Sequence, residues 1–292
     1  MSPKIYFLLI ILVVSCATGT GTRSHKAILQ GHDALVLNGD QTEIKAKLED
    51  DSMLRRDLKG FSIEFSLNGK IIGVVKTDDD GIAKLRWIPT GLGTYKIGLK
   101  LVANPGYKAS EHYAIVRVIG EKKLVFVVDI DNTIAMSDPV SFLFGDSSKI
   151  RPLPGAQEAL KELASRWQIL YLTARLDNFV GKTKLWLDYW KFPKAPVYFW
   201  GLFGNLPFDR SKYKALILNR LRKRHQNILV GVGDRPHDIR AYRQNGLRAY
   251  FLNDFGERMP YDDAVRVRSW REILEHLKKN PVGSLRRDPA IH

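Results

Sequence analysis

The hydrophobic period of the chain changes once, near residue 120, and that change limits the folds open to it. From about His25 to Gly120 apolar and polar residues alternate in short runs, as in "GFSIEFSLNGKIIGVVKTDDDGIAKLRW" (Gly60–Trp87). Period two marks strands with one buried face. The runs are broken by turn signals. Asn68-Gly69 fits a two-residue hairpin, and "DDDG" (Asp78–Gly81) fits a β-turn better than a metal loop. Several short strands spaced in this way predict an immunoglobulin-like β-sandwich over residues 28–120.

From Glu121 the apolar runs become continuous. "KLVFVV", "QILYLT", "PVYFW", "NILVGVG" and "LRAYFL" read as strands covered on both faces. Between them lie segments with helical character: "PGAQEALKELASRW", "NFVGKTKLWLDYW", "SKYKALILNRLRKR", "PHDIRAYRQNG" with Gly246 as its C-terminal stop, and "SWREILEHLKKN". Strands alternating with helices predict an α/β domain over 121–280, a doubly wound parallel sheet, followed by a loose tail at 281–292.

The amino-terminal end carries a different signal. One lysine precedes the apolar run Ile5–Val14, which is too short for a comfortable bilayer span and reads as an export signal over residues 1–15. Cys16, the single cysteine of the chain, follows at once and resembles the lipidated cysteine of a bacterial lipobox. The expectation is an exported lipoprotein held on the membrane of a bacterial cell envelope through Cys16, with residues 16–27 as a tether. One cysteine also excludes an internal disulfide, so the domains must rest on core packing. The formal net charge is +15, which favours anionic partners.

In a doubly wound sheet, ligands bind outside the carboxyl ends of the strands. Six polar residues fall at or beside that rim. Asp129 and Asp131 follow the first strand of the second domain, in "DIDNT". Thr173 ends the second, in "YLTAR". Lys212 opens a helix, in "SKYKAL". Asp234 ends a later strand, in "GDRPHD", with Asp238 one helical turn on. Lys214 competes with Lys212; the apolar positions Leu216, Leu218 and Leu221 favour Lys212 as the rim-facing residue. Thr133 is expected to cap the turn after the first strand, and Asp138 to start a helix or lie in a loop. Arg175 and Arg235 either touch a bound anion or pair with the acids, and His237 reads as a helix-start or orienting residue.

These four motifs, in this order and context, resemble the haloacid dehalogenase-like superfamily of phosphohydrolases over about residues 121–278. The resemblance implies a Mg²⁺-dependent phosphomonoester hydrolase. It implies Asp129 as nucleophile and metal ligand, and the Asp131 side chain as general acid and base with its backbone carbonyl on the metal. Asp234 would be a further metal ligand, Asp238 would lie behind it, and Thr173 and Lys212 would hold the phosphoryl oxygens. Two neighbouring carboxylates at a phosphate site would repel the substrate unless a cation lay between them.

About 40 residues separate Thr133 from Thr173, and about 40 separate Thr173 from Lys212. Both gaps are consumed by core elements, leaving no room for a lid domain. An open rim suits a substrate whose bulk stays outside. "DIDNTIAMSD" and "VGVGDRPHDIRAYRQNGLRAYFLNDFGE" resemble lipin-type phosphatidate phosphatases, which also carry an immunoglobulin-like domain; lipins show Asn-Arg where this chain has Asp234-Arg235. The resemblance implies a phosphorylated lipid substrate, and the aromatic stretch Val197–Phe208 could then meet a membrane interface. The alternatives are a phosphatase for small soluble or nucleic-acid phosphates, the latter disfavoured by export, and a non-catalytic surface lipoprotein.

Overall fold

The computed structural model of the protein describes residues 24–104, 106–136, 149–200, 210–252 and 261–282. The expected leader, Cys16, Asp138, residues 201–208 of the aromatic stretch and the tail from 283 lie outside these.

Residues 25–119 form a sandwich of two sheets. Strands β1 (His25–His32), β3 (Thr42–Asp50), β6 (Ile82–Trp87) and β8 (Tyr107–Ala109) make one, in the order β6-β3-β1-β8. Strands β2 (Ala34–Leu37), β4 (Ser62–Leu67), β5 (Lys70–Lys76), β7 (Gly93–Leu101) and β9 (His112–Ile119) make the other, in the order β2-β9-β7-β4-β5. Alternate residues from both sheets, among them Ile44, Ala46, Leu48, Ile63, Phe65, Ile97, Leu99, Ala114 and Val116, fill the space between. β1 starts at His25, earlier than the sandwich boundary read from the sequence, because His25–Ala27 pair with β8. At the β4–β5 hairpin Asn68 and Gly69 have φ of 51° and 78°, the left-handed pair that matches the twist of the strands. The Asp78 carboxylate accepts the backbone N–H groups of Asp80 and Ile82 and binds Lys84, so "DDDG" is a side-chain-locked turn.

The second domain is a six-stranded, wholly parallel sheet. Its strands are β10 (Val125–Val128), β11 (Gln168–Leu176), β12 (Val197–Trp200), β13 (Ile228–Gly233), β14 (Arg248–Leu252) and β15 (Val265–Val267). Their order is β12-β11-β10-β13-β14-β15. The helices are α1 (Ala156–Arg166), α2 (Val180–Tyr189), α3 (Arg210–Arg222), α4 (Pro236–Gln244) and α5 (Trp270–Lys279). Two apolar clusters cover the sheet. One gathers Phe126, Val128, Leu160, Tyr171, Trp186 and Trp270, the other Val127, Leu172, Tyr213, Ile217, Ile239 and Tyr242. Burial on both faces explains why these strands read as unbroken apolar runs. The chain leaves β10 in one direction, to β11 and β12, and then crosses to β13 on the other side. β10 and β13 therefore flank the topological switch point, where a crevice opens at the strand ends.

The sandwich is packed against the α/β domain, not merely tethered to it. Leu35 and Ile119 belong to the second apolar cluster of the α/β domain. The Lys184 ammonium reaches the Asp33 carboxylate at 2.6 Å, with both side chains almost fully buried. That carboxylate also accepts the N–H groups of Ile115 and Val197. The Leu35 N–H donates to the Tyr198 hydroxyl at 3.1 Å, and Arg117 Nε donates to Gln168 Oε1 at 2.6 Å. A buried ion pair whose acid also receives two backbone donors is well compensated for its desolvation. Among the described residues no helix is long and apolar enough to cross a membrane.

Candidate active site

Asp129 directly follows β10 and Asp234 directly follows β13, so adjacent central strands deliver both acids to the switch point. The Asp129 backbone N–H donates to the Val232 carbonyl at 3.0 Å, which fixes the register of the two strand ends. Asp238 comes from the first turn of α4. A Cβ on Gly233 would lie 2.6 Å from the Asp238 Cβ, so only glycine lets α4 begin this close to β13. The result is a cluster of three buried aspartates, Asp129, Asp234 and Asp238, with carboxylate oxygens within 4.8 Å of one another.

Lys214 lies between them. Its ammonium is 2.7 Å from Asp129 Oδ1 and 2.6 Å from Asp238 Oδ1, and the residue is 1% exposed. This corrects the assignment of Lys212, which is exposed. The face of α3 turned to the core carries Tyr213, Lys214, Ile217 and Leu218, whereas Leu216 is only partly buried. The apolar stripe drawn through Leu216, Leu218 and Leu221 was therefore rotated from the true buried face. Two residues are about 200° on a helix, enough to turn Lys212 away.

The other predicted residues divide. Asp131 lies outside the cluster. Its carboxylate is held in a two-pronged ion pair by Arg175, with Nε to Oδ2 at 3.0 Å and Nη2 to Oδ1 at 2.7 Å. Arg175 is buried and also donates to Thr183 Oγ1 at 3.0 Å. Of the two roles open to Arg175 in the sequence, the structure shows the acid-pairing one. Thr173 is fully buried, and its Oγ1 accepts the Arg175 N–H at 3.2 Å. The strand does not end there but continues to Leu176, with its pairing to β12 irregular after Leu172. Thr133 is no side-chain cap: its Oγ1 has no hydrogen-bond partner among the described residues, and it is the backbone that closes the turn after β10. Asn132 takes φ of 53° in that turn, and Trp270 Nε1 donates to the Thr133 carbonyl at 2.8 Å. Arg235 Nε binds Asp234 Oδ2 at 3.1 Å. Asp238 has both oxygens engaged, Oδ1 by Lys214 and Oδ2 by the Arg235 N–H, which suits it to hold Lys214 in place.

The electrostatics of the cluster are out of balance. Three carboxylates meet one ammonium in a buried space. Burial, reinforced by the charges of Asp238, Asp234 and Asp131, pushes the Asp129 carboxyl well above its ordinary range, even though Lys214 opposes the shift. Burial and the Asp238 charge push Asp234 up to about 7. Burial alone would lower the Lys214 ammonium, but Asp129 and Asp238 together raise it above its ordinary value, so it stays charged. Excess negative charge on hard oxygen donors fits a divalent cation such as Mg²⁺. Asp129 and Asp234 would hold the ion, with Asp238 behind them.

A pH dependence follows. The folded state holds a proton on Asp234 up to about pH 7, while the unfolded chain releases it near the ordinary carboxylate value of 3.8. Its contribution to stability is therefore full in acid and lost as pH rises from about 4 towards 7. Thermal unfolding in EDTA should show this loss. The loss should be smaller in Asp234→Asn and offset by added Mg²⁺, and a parent and variant with the same pH dependence would refute the assignment.

Comparison with known proteins places the same segment in context. Residues 126–251 match the family model described as the LNS2 domain of PITM 1-3. A phosphoserine phosphatase of Methanocaldococcus jannaschii is 30% identical over 138 residues, 44% of this chain; the chain spans 65% of that relative's length. A crystal structure of a putative β-phosphoglucomutase from Thermotoga maritima aligns over 54% of this chain and 99% of its own, at 16% identity and a TM-score of 0.42. Fibronectin(III)-like modules of Clostridium thermocellum align over 32% of this chain and 96% of their own, at 10% identity and a TM-score of 0.24. The strand order and the apolar clusters on both faces of the sheet make this segment a doubly wound α/β domain.

Proposed function

We propose that the protein is a Mg²⁺-dependent phosphomonoester hydrolase acting on a phosphorylated lipid such as phosphatidate. The observation that carries the hydrolase reading is the meeting of Asp129, Asp234 and Asp238 around the buried Lys214 at the sheet's switch point. Oxygen Oδ1 of Asp129 is held by Lys214, which orients the carboxylate as a nucleophile. In the first step a carboxylate oxygen of Asp129 bonds to phosphorus and the phosphorus–oxygen bond to the alcohol breaks. The leaving oxygen takes its proton from Asp131. In the second step water attacks the aspartyl-phosphate, gives a proton to Asp131 and frees Asp129. Arg175 fixes the plane of the Asp131 carboxylate and must yield it to the leaving group. Lys214 supplies fixed positive charge to the phosphoryl oxygens, and the Thr173 hydroxyl becomes a donor once Arg175 moves. Bound Mg²⁺ would neutralise charge shared between the substrate phosphate and the acids.

The lipid assignment is supported by the lipin-like motifs and by the rim itself. Met136, just past the Asp131 turn, is 56% exposed, and Leu176, next to Arg175, is 39% exposed. The charges of Lys47, Arg55 and Asp57 act on Asp177, just past the end of β11, and the exposed Met53 and Leu54 adjoin Arg55 in the chain. Exposed apolar side chains around a charged crevice suit a headgroup presented from an interface. Export and lipidation at Cys16 would keep the rim near a bilayer; labelled palmitate incorporated by the parent and lost in Cys16→Ala is the expected result, and equal labelling refutes it. Phosphate release should be compared on phosphatidate vesicles, sugar phosphates and end-phosphorylated oligonucleotides, with Mg²⁺ and with EDTA. Mg²⁺-dependent release that is fastest on phosphatidate is expected. Preference for a soluble ester would overturn the lipid reading alone, and no release from any ester would overturn the hydrolase.

A further inference from the structure

The groove between the two domains has no part in the chemistry above. It encloses about 480 Å³ and is lined by His32, Glu43, Lys45, Arg86, Tyr198 and Arg224, among others. Its walls are both cationic. On the sandwich side, register places Lys45 directly opposite Lys84, and Glu43 directly opposite Arg86, across β3 and β6. On the other side stands Arg224, just past the end of α3, and the charge of Arg220 on that helix also acts on Lys45. Acids near the groove are themselves engaged. Glu43 lies 3.8 Å from Lys45, Asp78 is taken by Lys84, and Asp33 is taken by Lys184. Like charges directly opposite on neighbouring strands repel, and two cationic walls brought together by domain packing repel again.

His32 adds an independent observation. It lines this groove, is 6% exposed, and neither ring nitrogen has a hydrogen-bond partner among the described residues. Burial and the charges of Lys184, Lys45 and Lys47 hold it neutral, pushed down to about 3. A buried neutral imidazole without partners costs free energy unless something satisfies it. An anion in the groove would accept the remaining ring N–H and pair with the cations at once.

We propose that this groove is a second phosphate-class site, a place where a phosphate dianion, free or carried on a lipid headgroup, bridges Lys45 and Arg86 of the sandwich to Arg224 of the α/β domain, over His32. Guanidinium groups bind phosphate oxygens in pairs, which favours phosphate over a smaller anion. The site is separate from the carboxylate cluster: Arg224 is ten residues beyond Lys214, about 15 Å at helical rise. It does not depend on the hydrolase reading. Occupancy would tie the two domains together and raise the unfolding temperature.

The test uses the full chain in EDTA, which leaves the carboxylate cluster repellent to phosphate. Binding of inorganic phosphate is measured by calorimetry. Binding of phosphatidylcholine vesicles with and without phosphatidate is measured by flotation. The variants are Arg86→Gln/Arg224→Gln and, separately, Lys45→Gln. The expected result is phosphate-class binding by the parent that weakens about tenfold or more in the double variant and measurably in Lys45→Gln. Hydrolysis of a small soluble ester should be unchanged in all of them. Removing mutually repelling cations should not lower the unfolding midpoint without phosphate. A loss confined to free phosphate names the soluble source, and a loss confined to phosphatidate vesicles names the headgroup; either supports the site. Equal affinity in parent and variants overturns it, as does the failure of the parent to bind either probe.

Discussion

Asp129→Asn should abolish turnover, by on the order of 10⁴-fold or more, while leaving the fold intact. In the mechanism proposed above the carboxylate attacks phosphorus, and an amide of the same shape cannot. Stability should move the other way. Asp129 is held above its ordinary range by burial and by neighbouring acids, so in the metal-free protein its ionised form is strained at neutral pH. A neutral isostere removes that strain, and Lys214 keeps Asp238 as a partner at 2.6 Å. Phosphate release and thermal unfolding in EDTA check the two halves. Turnover near the parental rate would sink the nucleophile assignment. Lost turnover with a collapsed unfolding midpoint would show a structural role instead.

The second large effect belongs to Lys214. Lys214→Met keeps the length of the side chain and removes the charge that bridges Asp129 and Asp238. Removing one partner from a buried ionic network costs roughly 3–5 kcal/mol, because the acids left behind have no counter-charge. Activity should fall as well, since the fixed cation beside the proposed nucleophile is gone. Lys212→Met should change stability by less than about 0.5 kcal/mol, as exposed substitutions do. The pair is decisive because the two lysines point about 200° apart on the same helix. Denaturant unfolding of both variants with and without Mg²⁺ would show it. A large effect at Lys212 and none at Lys214 would reverse the assignment.

Much of this molecule could be read along the chain. The period of two before residue 120 and the unbroken apolar runs after it report how many faces of each strand are buried, a local consequence of composition. The hairpin at Asn68-Gly69 and the stop at Gly246, with φ of 68°, come from backbone freedom that only a few residue types possess. The placement of Asp129 and Asp234 could also be read, because a parallel sheet sends the end of every strand to one rim.

What the sequence alone determined was therefore the two-domain plan and the strand-end acids, since both depend on neighbours a few residues away. Tertiary structure decided which lysine meets those acids, because that depends on the face by which α3 packs, and its apolar residues surround most of the helix. It turned Asp131 towards Arg175, 44 positions distant, and joined Asp33 to Lys184 across 151. No local pattern encodes such pairs. The first arises when the sheet sets β10 beside β11, the second when the sandwich seats on the α/β domain, and in each case burial forces the charge to find a partner.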